Sequence, residues 1–268
     1  MSKLALFLCG DLAGPALERN GSYLDIYTAY LHNSCPTTHP PSSPSIHLLP
    51  ACSIHISHTP TAANAYDNID WINNLVAYVA RIASSKPHIK LIGICFGHQI
   101  IARALGGECV PNNGRWEVGP TQITLTQLGK SIFGPRDTLT IQEMHRDHVP
   151  SVPPNADLHV LASTELSPNQ GMVKFYPAAQ DTETHAHGNG TVQAASKKVQ
   201  IFTIQGHPEF TQRVISDIVE QRSAVGVMSA QISDDLKSRL DKGWDKEAQN
   251  DSNDVVGKVI WDIIEGKI

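Results

Sequence analysis

An abrupt change of apolar pattern at residues 90–105 constrains the fold of this chain more than any other feature. Leu91-Ile92-Gly93-Ile94 has the pattern of a buried strand, and helical apolar spacing resumes over Ile100–Leu105 before Gly106-Gly107 ends it. A strand that passes directly into a helix is typical of α/β folds, in which helices cross between parallel strands. We therefore expect a sheet covered by helices.

The same alternation extends along most of the chain. Apolar spacing predicts helices at residues 24–31, 70–83, 214–227 and 255–264. Apolar runs predict strands at residues 4–9, 46–57 (weakly), 122–126, 138–144 and 200–205. Polar or Pro-rich composition predicts loops or mobile connections at residues 34–45, 181–198 and 240–254.

These elements predict an α/β protein with a mainly parallel central sheet flanked by helices. The strands predicted at 122–126 and 138–144 alternate apolar and polar residues, so we expect them to be antiparallel additions. We predict one domain over residues 1–228, divergent and loop-rich at 34–65. Residues 229–268 are predicted to form a C-terminal helical extension packed on that domain.

Composition excludes two classes of function. The 21 Lys and Arg residues against 26 Asp and Glu residues give a net charge of −5, so no basic excess exists to neutralise nucleic-acid phosphates. No apolar run approaches the ~20 residues that span a bilayer, which argues against membrane insertion. The five cysteines form no CxxC pair, which fits a reducing compartment, and we expect a cytoplasmic protein.

Cys95 lies between two glycines where the pattern changes from strand to helix. This is the arrangement of a nucleophile elbow, with sulfur in place of a hydroxyl group. Gly93 and Gly97 are expected to let the strand and helix backbones approach closely. The helix N-terminus favours the nucleophilic thiolate, and the Phe96 N–H is placed to donate to an oxyanion. A buried structural cysteine in a tight turn is the alternative.

A second element follows the strand predicted at residues 200–205. Pro208 biases His207 towards an extended backbone, in which residues two apart point to the same side. Glu209 is therefore placed to hold the His207 imidazole. A base oriented by a carboxylate activates a cysteine when the two lie side by side. A surface histidine near a glutamate is the alternative for this element taken alone.

Together these elements resemble the class I glutamine amidotransferase superfamily, especially stand-alone proteins similar to γ-glutamyl peptidases and the amidotransferase domain of GMP synthase. The resemblance rests on residues 93–99, 116–119, 144–149, 170–172 and 205–211. It implies a flavodoxin-like fold and a catalytic triad of Cys95, His207 and Glu209. It also implies a substrate pocket that involves Phe96, Gly97, Gln99, Glu117, Val118, Gly119 and His145.

The resemblance implies hydrolysis of glutamine, or of another γ-glutamyl amide, through a Cys95 thioester. The chain carries no phosphate loop or ATP signature, so ammonia would pass in trans to a synthetase, and similar fungal proteins supply nitrogen to secondary metabolism. A γ-glutamyl peptidase that acts on glutathione-like compounds is one alternative. A weakly active or inactive binding subunit of a synthetase is another.

The alternative of a weakly active or inactive binding subunit arises because the sequence departs from the pattern of its relatives. Relatives place a glycine-rich turn after the third strand to supply a second oxyanion donor, but this chain has no glycine between Gly21 and Gly93. The expected turn falls at residues 57–64, where Pro60 has no N–H. Loss of one such donor costs ~10²–10³ in rate.

No metal site or cofactor is expected from the sequence. The remaining histidine pairs, at 55/58, 145/148 and 185/187, lack cysteine or carboxylate partners at the spacing of zinc sites. The proposed acyl transfer needs only side chains and water.

Overall fold

A computed structural model describes residues 4–35, 63–177 and 198–268. The strands are β1 (Leu91–Ile94), β2 (Val110–Pro111), β3 (Glu117–Leu125), β4 (Thr138–His145), β5 (Asp147–His148), β6 (His159–Ser163), β7 (Gly171–Phe175) and β8 (Val199–Ile204). The α-helices are α1 (Gly14–Asn20), α2 (Tyr23–Asn33), α3 (Asp70–Ser85), α4 (Phe96–Ala104), α5 (Gln127–Phe133), α6 (Gln212–Ala224), α7 (Ala230–Asp241), α8 (Trp244–Asn250) and α9 (Lys258–Ile264). A π-helix, Asp251–Gly257, joins α8 to α9.

Six of these strands form one mixed sheet in the order β1-β8-β7-β6-β3-β4, and β2 pairs with β5 separately. The α/β class is confirmed, but the expected dominance of parallel pairing is not found in the described part of the chain. Only β1 and β8 are parallel there, and the other four neighbouring pairs are antiparallel. From β2 to β7 the described strands follow one another through loops or a short helix, which permits antiparallel pairing.

The parallel pair determines where the site lies. Gly93 is in register with Thr203, and Ile94 with Ile204, so β1 and β8 end together at one edge of the sheet. Helix α4 begins directly after β1 and packs against it and against α3. Side chains that follow β1 and β8 are therefore brought to the same edge.

Apolar clusters on both sides of the sheet hold this arrangement. One cluster joins Phe202 and Ile141 of the sheet to Trp261 of α9. Another joins Phe210 and Ile215 to Leu236 of α7. Helix α3 has a pronounced apolar side, predicted from its spacing, and Ile72 packs there beside Ile100.

Two predictions about local structure are wrong. Residues 5–13 form no strand, and Leu4 takes part only in a single bridge, so the apolar run at 4–9 is not a buried parallel strand. Residues 244–257 are helical rather than a mobile connection. Charged residues there bind the sheet: the Thr140 N–H donates to Asp251 at 2.8 Å, and its hydroxyl donates to Glu247 at 2.8 Å.

The other predictions fall into two groups. The helices predicted at 24–31, 70–83, 214–227 and 255–264 and the strands predicted at 122–126, 138–144 and 200–205 are present, with shifted bounds. The loop at 34–45, the weak strand at 46–57 and the loop at 181–198 lie wholly or almost wholly outside the described residues. The C-terminal helices α7 and α8 pack on β3 and β4. The division into domains stays a prediction.

Candidate active site

Cys95 occupies the sharp turn between β1 and α4. Its backbone adopts φ 47° and ψ −101°, a conformation that residues with a side chain rarely take. The Cys95 N–H donates to the Ile204 carbonyl at 2.9 Å, which ties the turn to β8. The sulfur is therefore presented at the sheet edge, where the sequence pattern places it, and the residue is partly exposed.

The two flanking glycines have different roles. A Cβ at Gly93 would lie 2.7 Å from the Gly97 carbonyl oxygen and 2.7 Å from Ile101 Cδ1, so the close crossing of strand and helix requires glycine there. A Cβ at Gly97 would meet no atom within 4 Å. Strand β1 and helix α4 therefore approach closely, as expected, but only Gly93, on the strand side, has to lack a side chain.

His207 and Glu209 follow β8 and reach the same edge. His207 Nδ1 lies 2.7 Å from Glu209 Oε1, and the His207 N–H donates to the Gln142 carbonyl at 2.7 Å. The imidazole stacks on Phe210 with 4.1 Å between ring centroids. The Glu209 side chain is fully buried and that of His207 is 12% exposed, so backbone, ring and carboxylate together fix the imidazole.

The charges around His207 favour its protonated form. Burial lowers its pKa, but the negative charges of Cys95 and Glu209 and hydrogen bonds to both outweigh burial and raise the pKa to about 10. Cys95 is therefore within interaction range of the protonated imidazole. Glu209 also lies close to α2: burial raises the pKa of Tyr27, and the negative charge of Glu209 raises it further.

A second imidazole lies in the sheet interior. His145 Nε2 is 3.1 Å from Glu143 Oε2 and 3.2 Å from Glu117 Oε2, and all three side chains are at most 5% exposed. Burial lowers the pKa of His145, but hydrogen bonds and charge from both glutamates raise it well above the usual value. Burial raises the pKa of Glu143, whereas contact with His145 outweighs burial and lowers that of Glu117.

The Gln99 amide links the two imidazole regions. Its Nε2 lies 3.0 Å from the Asp147 carbonyl oxygen, which also lies 3.0 Å from His145 Nδ1. Gln99 Nε2 also donates to Gln205 Oε1 at 3.2 Å, and Gln205 Nε2 donates to Cys95 Sγ at 3.6 Å. Polar contacts therefore run without a break from the buried glutamates to the sulfur.

The other predicted pocket residues have varied surroundings. Phe96 stacks on Trp71 with 5.7 Å between ring centroids. Val118 is buried in the apolar cluster of α6 and α7, and Gly119, at φ 78°, is covered by Leu236. Glu117 and His145 are also covered, so contact of these residues with a substrate stays a prediction.

The turn that lacks glycine lies mostly outside the described residues, which resume at Ala63. Asn64 lies inside them, and its N–H donates to Asp67 Oδ2 at 2.7 Å, so it is engaged within its own turn. The expectation of a missing second oxyanion donor stays a prediction.

Sequence reasoning missed Gln205 and Glu143. Both could have been found from strand periodicity, because residues two apart share a face: Gln205 lies two before His207, and Glu143 two before His145. Gly206 provides room for Glu143, since a Cβ at Gly206 would lie 2.6 Å from Glu143 Oε1.

The described ranges contain no cluster of His, Cys, Asp and Glu arranged to hold a metal ion. They also contain no helix long and apolar enough to cross a membrane.

An elbow cysteine beside a carboxylate-held imidazole, at the end of a parallel strand pair, defines an α/β protein with the features of a thiol acyl-transfer site. A sequence model of the class-I glutamine amidotransferases matches residues 54–223, and the chain belongs to that family.

Two relatives and one solved structure show similarity over most of the chain. A glutamine amidotransferase-like protein of Schizosaccharomyces pombe is 32% identical over 189 residues, 70% of this chain and 66% of that protein. Gamma-glutamyl peptidase 3 of Arabidopsis thaliana is 27% identical over 199 residues, 70% and 69% of the two chains. A glutamine amidotransferase crystal structure from Thermotoga maritima has a TM-score of 0.51 at 16% identity, covering 76% and 75%. It supports the fold alone. The chain spans about two thirds of the yeast relative.

Proposed function

We propose that this protein cleaves a γ-glutamyl amide bond, in glutamine or a γ-glutamyl compound, through a thioester on Cys95. The observation that carries the proposal is the convergence of Cys95, His207 and Glu209 after the only parallel strand pair described. The family match and the relative named as a γ-glutamyl peptidase support the same bond type.

The first half-reaction uses the thiolate and the protonated imidazole. Cys95 Sγ attacks the γ-carbonyl carbon, and the Phe96 N–H at the start of α4 stabilises the oxyanion. As the C–N bond breaks, His207 gives its proton to the departing nitrogen. Ammonia or an amine leaves, and the γ-glutamyl group remains on the sulfur. Glu209 keeps the imidazole in the required orientation.

The second half-reaction restores the enzyme. Neutral His207 takes a proton from water while the water oxygen attacks the thioester carbon. The C–S bond breaks, glutamate leaves, and the thiolate and imidazolium form again. Gln99, together with the remaining residues of the predicted pocket, holds the γ-glutamyl group in this proposal.

Two fates of the departing nitrogen separate the candidate activities. Delivery of ammonia in trans to a synthetase, including one that serves secondary metabolism, is our first proposal, because the family name denotes transfer of an amide nitrogen. A γ-glutamyl peptidase acting on glutathione-like compounds is the second, because a relative carries that name. In either case we propose that the protein works in the cytoplasm, without a cofactor.

A direct test measures glutamate released from L-glutamine and from glutathione by the wild-type protein and by Cys95→Ala. We expect release by the wild type only, and the preferred substrate decides between the two activities. A glutamine-analogue diazoketone should alkylate the Cys95 sulfur with loss of N₂, so the mass added is that of the reagent minus N₂. No release from either substrate and no labelling would reject catalysis and favour the inactive binding subunit.

A further inference from the structure

The side-chain amide of Gln205 lies beside the proposed nucleophile. Its Nε2 lies 3.6 Å from Cys95 Sγ, within the range of N–H···S contacts, and Gln205 is fully buried. Its backbone is fixed as well, because the Gln205 N–H donates to the Gln170 carbonyl at 3.0 Å. The amide therefore has little freedom to move away from the sulfur.

The orientation of this amide follows from its neighbours rather than from the shape of the side chain. A backbone carbonyl only accepts hydrogen bonds, so the Gln99 atom 3.0 Å from the Asp147 carbonyl oxygen must be the amide nitrogen. The same nitrogen lies 3.2 Å from Gln205, which must present its oxygen there. The Gln205 nitrogen is then the atom that faces Cys95.

At the far end of the contacts the direction of donation reverses, because the Asp147 carbonyl accepts from both Gln99 and His145. The Asp147 carbonyl also lies 3.0 Å from His145 Nδ1, so that nitrogen carries a proton. His145 Nε2 lies between the carboxylates of Glu117 and Glu143, whose charges raise the pKa of His145 and favour a second proton there. From Gln99 through Gln205 to Cys95, each donor points towards the sulfur, and a donor that ends at a sulfur atom stabilises its anion.

We propose that Gln205 is a further catalytic residue, which donates a hydrogen bond from Nε2 to the Cys95 thiolate and is held in that orientation by Gln99. This inference deepens the proposed function and rests on it. The donor stabilises the attacking sulfur before substrate binds and the departing sulfur when the thioester breaks.

Other ionisable groups near Cys95 also act on its sulfur, besides the hydrogen bond from Gln205. The charge of Cys95 acts on His207, whose Nδ1 lies 2.7 Å from Glu209 Oε1, so Glu209 acts through His207. Tyr23, Tyr27 and Cys109 also lie within its electrostatic range. These groups remain in place when Gln205 is changed, so the effect of Gln205 can be measured separately.

The test is the pH dependence of Cys95 alkylation by iodoacetamide, which requires no turnover. In Gln205→Met we expect the pH midpoint to rise by about one unit, a tenfold loss of thiolate on the acid side. Gln205→Glu should raise it further, because a carboxylate repels the thiolate. Gln99→Met should cause a smaller rise. Gln200→Met, at a buried glutamine of β8, should cause none.

An unchanged midpoint in folded Gln205→Met would overturn the inference, as would an equal rise in Gln200→Met. Should the Gln205 variants not fold, ¹⁵N-glutamine-labelled wild type provides a second measurement. One side-chain amide signal should follow the titration of Cys95 and stop doing so in Cys95→Ala, whereas absence of such a signal rejects the inference. A protein without γ-glutamyl turnover but with a Gln205-dependent midpoint rejects only the proposed function.

Discussion

Two imidazoles in this protein are held by carboxylates, yet their surroundings differ in one decisive respect. His207 is 12% exposed, stacks on Phe210 and interacts with the Cys95 sulfur. His145 is 3% exposed and lies between two glutamates inside the sheet. Similar chemical groups therefore occur in two settings: at the edge, where Cys95 lies within range of a partly accessible imidazole, and in the interior, where two glutamates enclose a covered one.

The largest effect should come from removal of that nucleophile. Cys95→Ala is expected to lower glutamate release by at least ~10⁴-fold, since triad members act as a unit. Burial raises the pKa of Cys109 to about 12, so Cys109 stays protonated, and Cys109→Ala serves as the control with turnover retained. Steady-state glutamate assays measure both variants. Equal losses of glutamate release in Cys95→Ala and Cys109→Ala would contradict the assignment of the nucleophile to the sheet edge.

Removal of the charge on Glu209 should reduce turnover by ~10²–10⁴-fold, the range of general acid–base catalysis. Glu209 helps to raise the pKa of His207 to about 10, so Glu209→Gln should also shift the alkaline limb of the rate profile to lower pH. A pH–rate series for the variant and the wild type measures this shift. A limb that stays in place would show that Glu209 does not hold the proton on His207.

His145→Gln should act chiefly on stability. Breaking a buried ion pair by removing one partner costs about 3–5 kcal/mol, because the two glutamates are left without their cation. Urea unfolding of the variant and the wild type measures the difference. If the free energy of unfolding falls by less than about 1 kcal/mol, His145 does not form a buried ion pair that stabilises the fold.

Prediction from sequence succeeded where a local pattern sufficed. Elbow glycines, strand–helix alternation and the His-Pro-Glu order predicted the turn at Cys95 and the His207–Glu209 contact without any long-range information, and the catalytic roles of these residues stay predictions. The Glu117–His145–Glu143 contacts depend on how β3 and β4 pair, which places Glu117 opposite His145. Periodicity gives the face of each residue but not this register.

The misassigned C-terminal segment shows a different limit. Residues 240–254 carry many charges, which from sequence alone indicate a solvated stretch. In the fold, Asp251 and Glu247 accept hydrogen bonds from Thr140, and Arg136 pairs with Asp251 at 2.8 Å. The partners lie more than 100 residues away, so no local signal reveals them.

The smallest effect concerns the pH dependence of stability. The pKa of His145 is raised above its ordinary 6.5, so its contribution is complete below pH 6.5 and is lost as pH rises through the higher folded value. The pKa of Glu117 is lowered from 4.5, so its contribution is complete above pH 4.5 and is lost as pH falls through the lower folded value. The stability lost in His145→Gln should therefore be greatest between pH 4.5 and 6.5, as measured by denaturation at several pH values. A difference that grows towards alkaline pH would contradict this assignment.

The contact between Thr140 and the π-helix has a consequence for solubility. β4 is at one end of the strand order, and such a strand offers unpaired amides onto which another polypeptide can add. Asp251 occupies the Thr140 amide, and its negative charge opposes the docking of a foreign backbone there. The C-terminal segment therefore covers this part of the β4 edge, and we expect Asp251→Ala, which keeps the apolar residues of α9 in place, to promote self-association measured by light scattering.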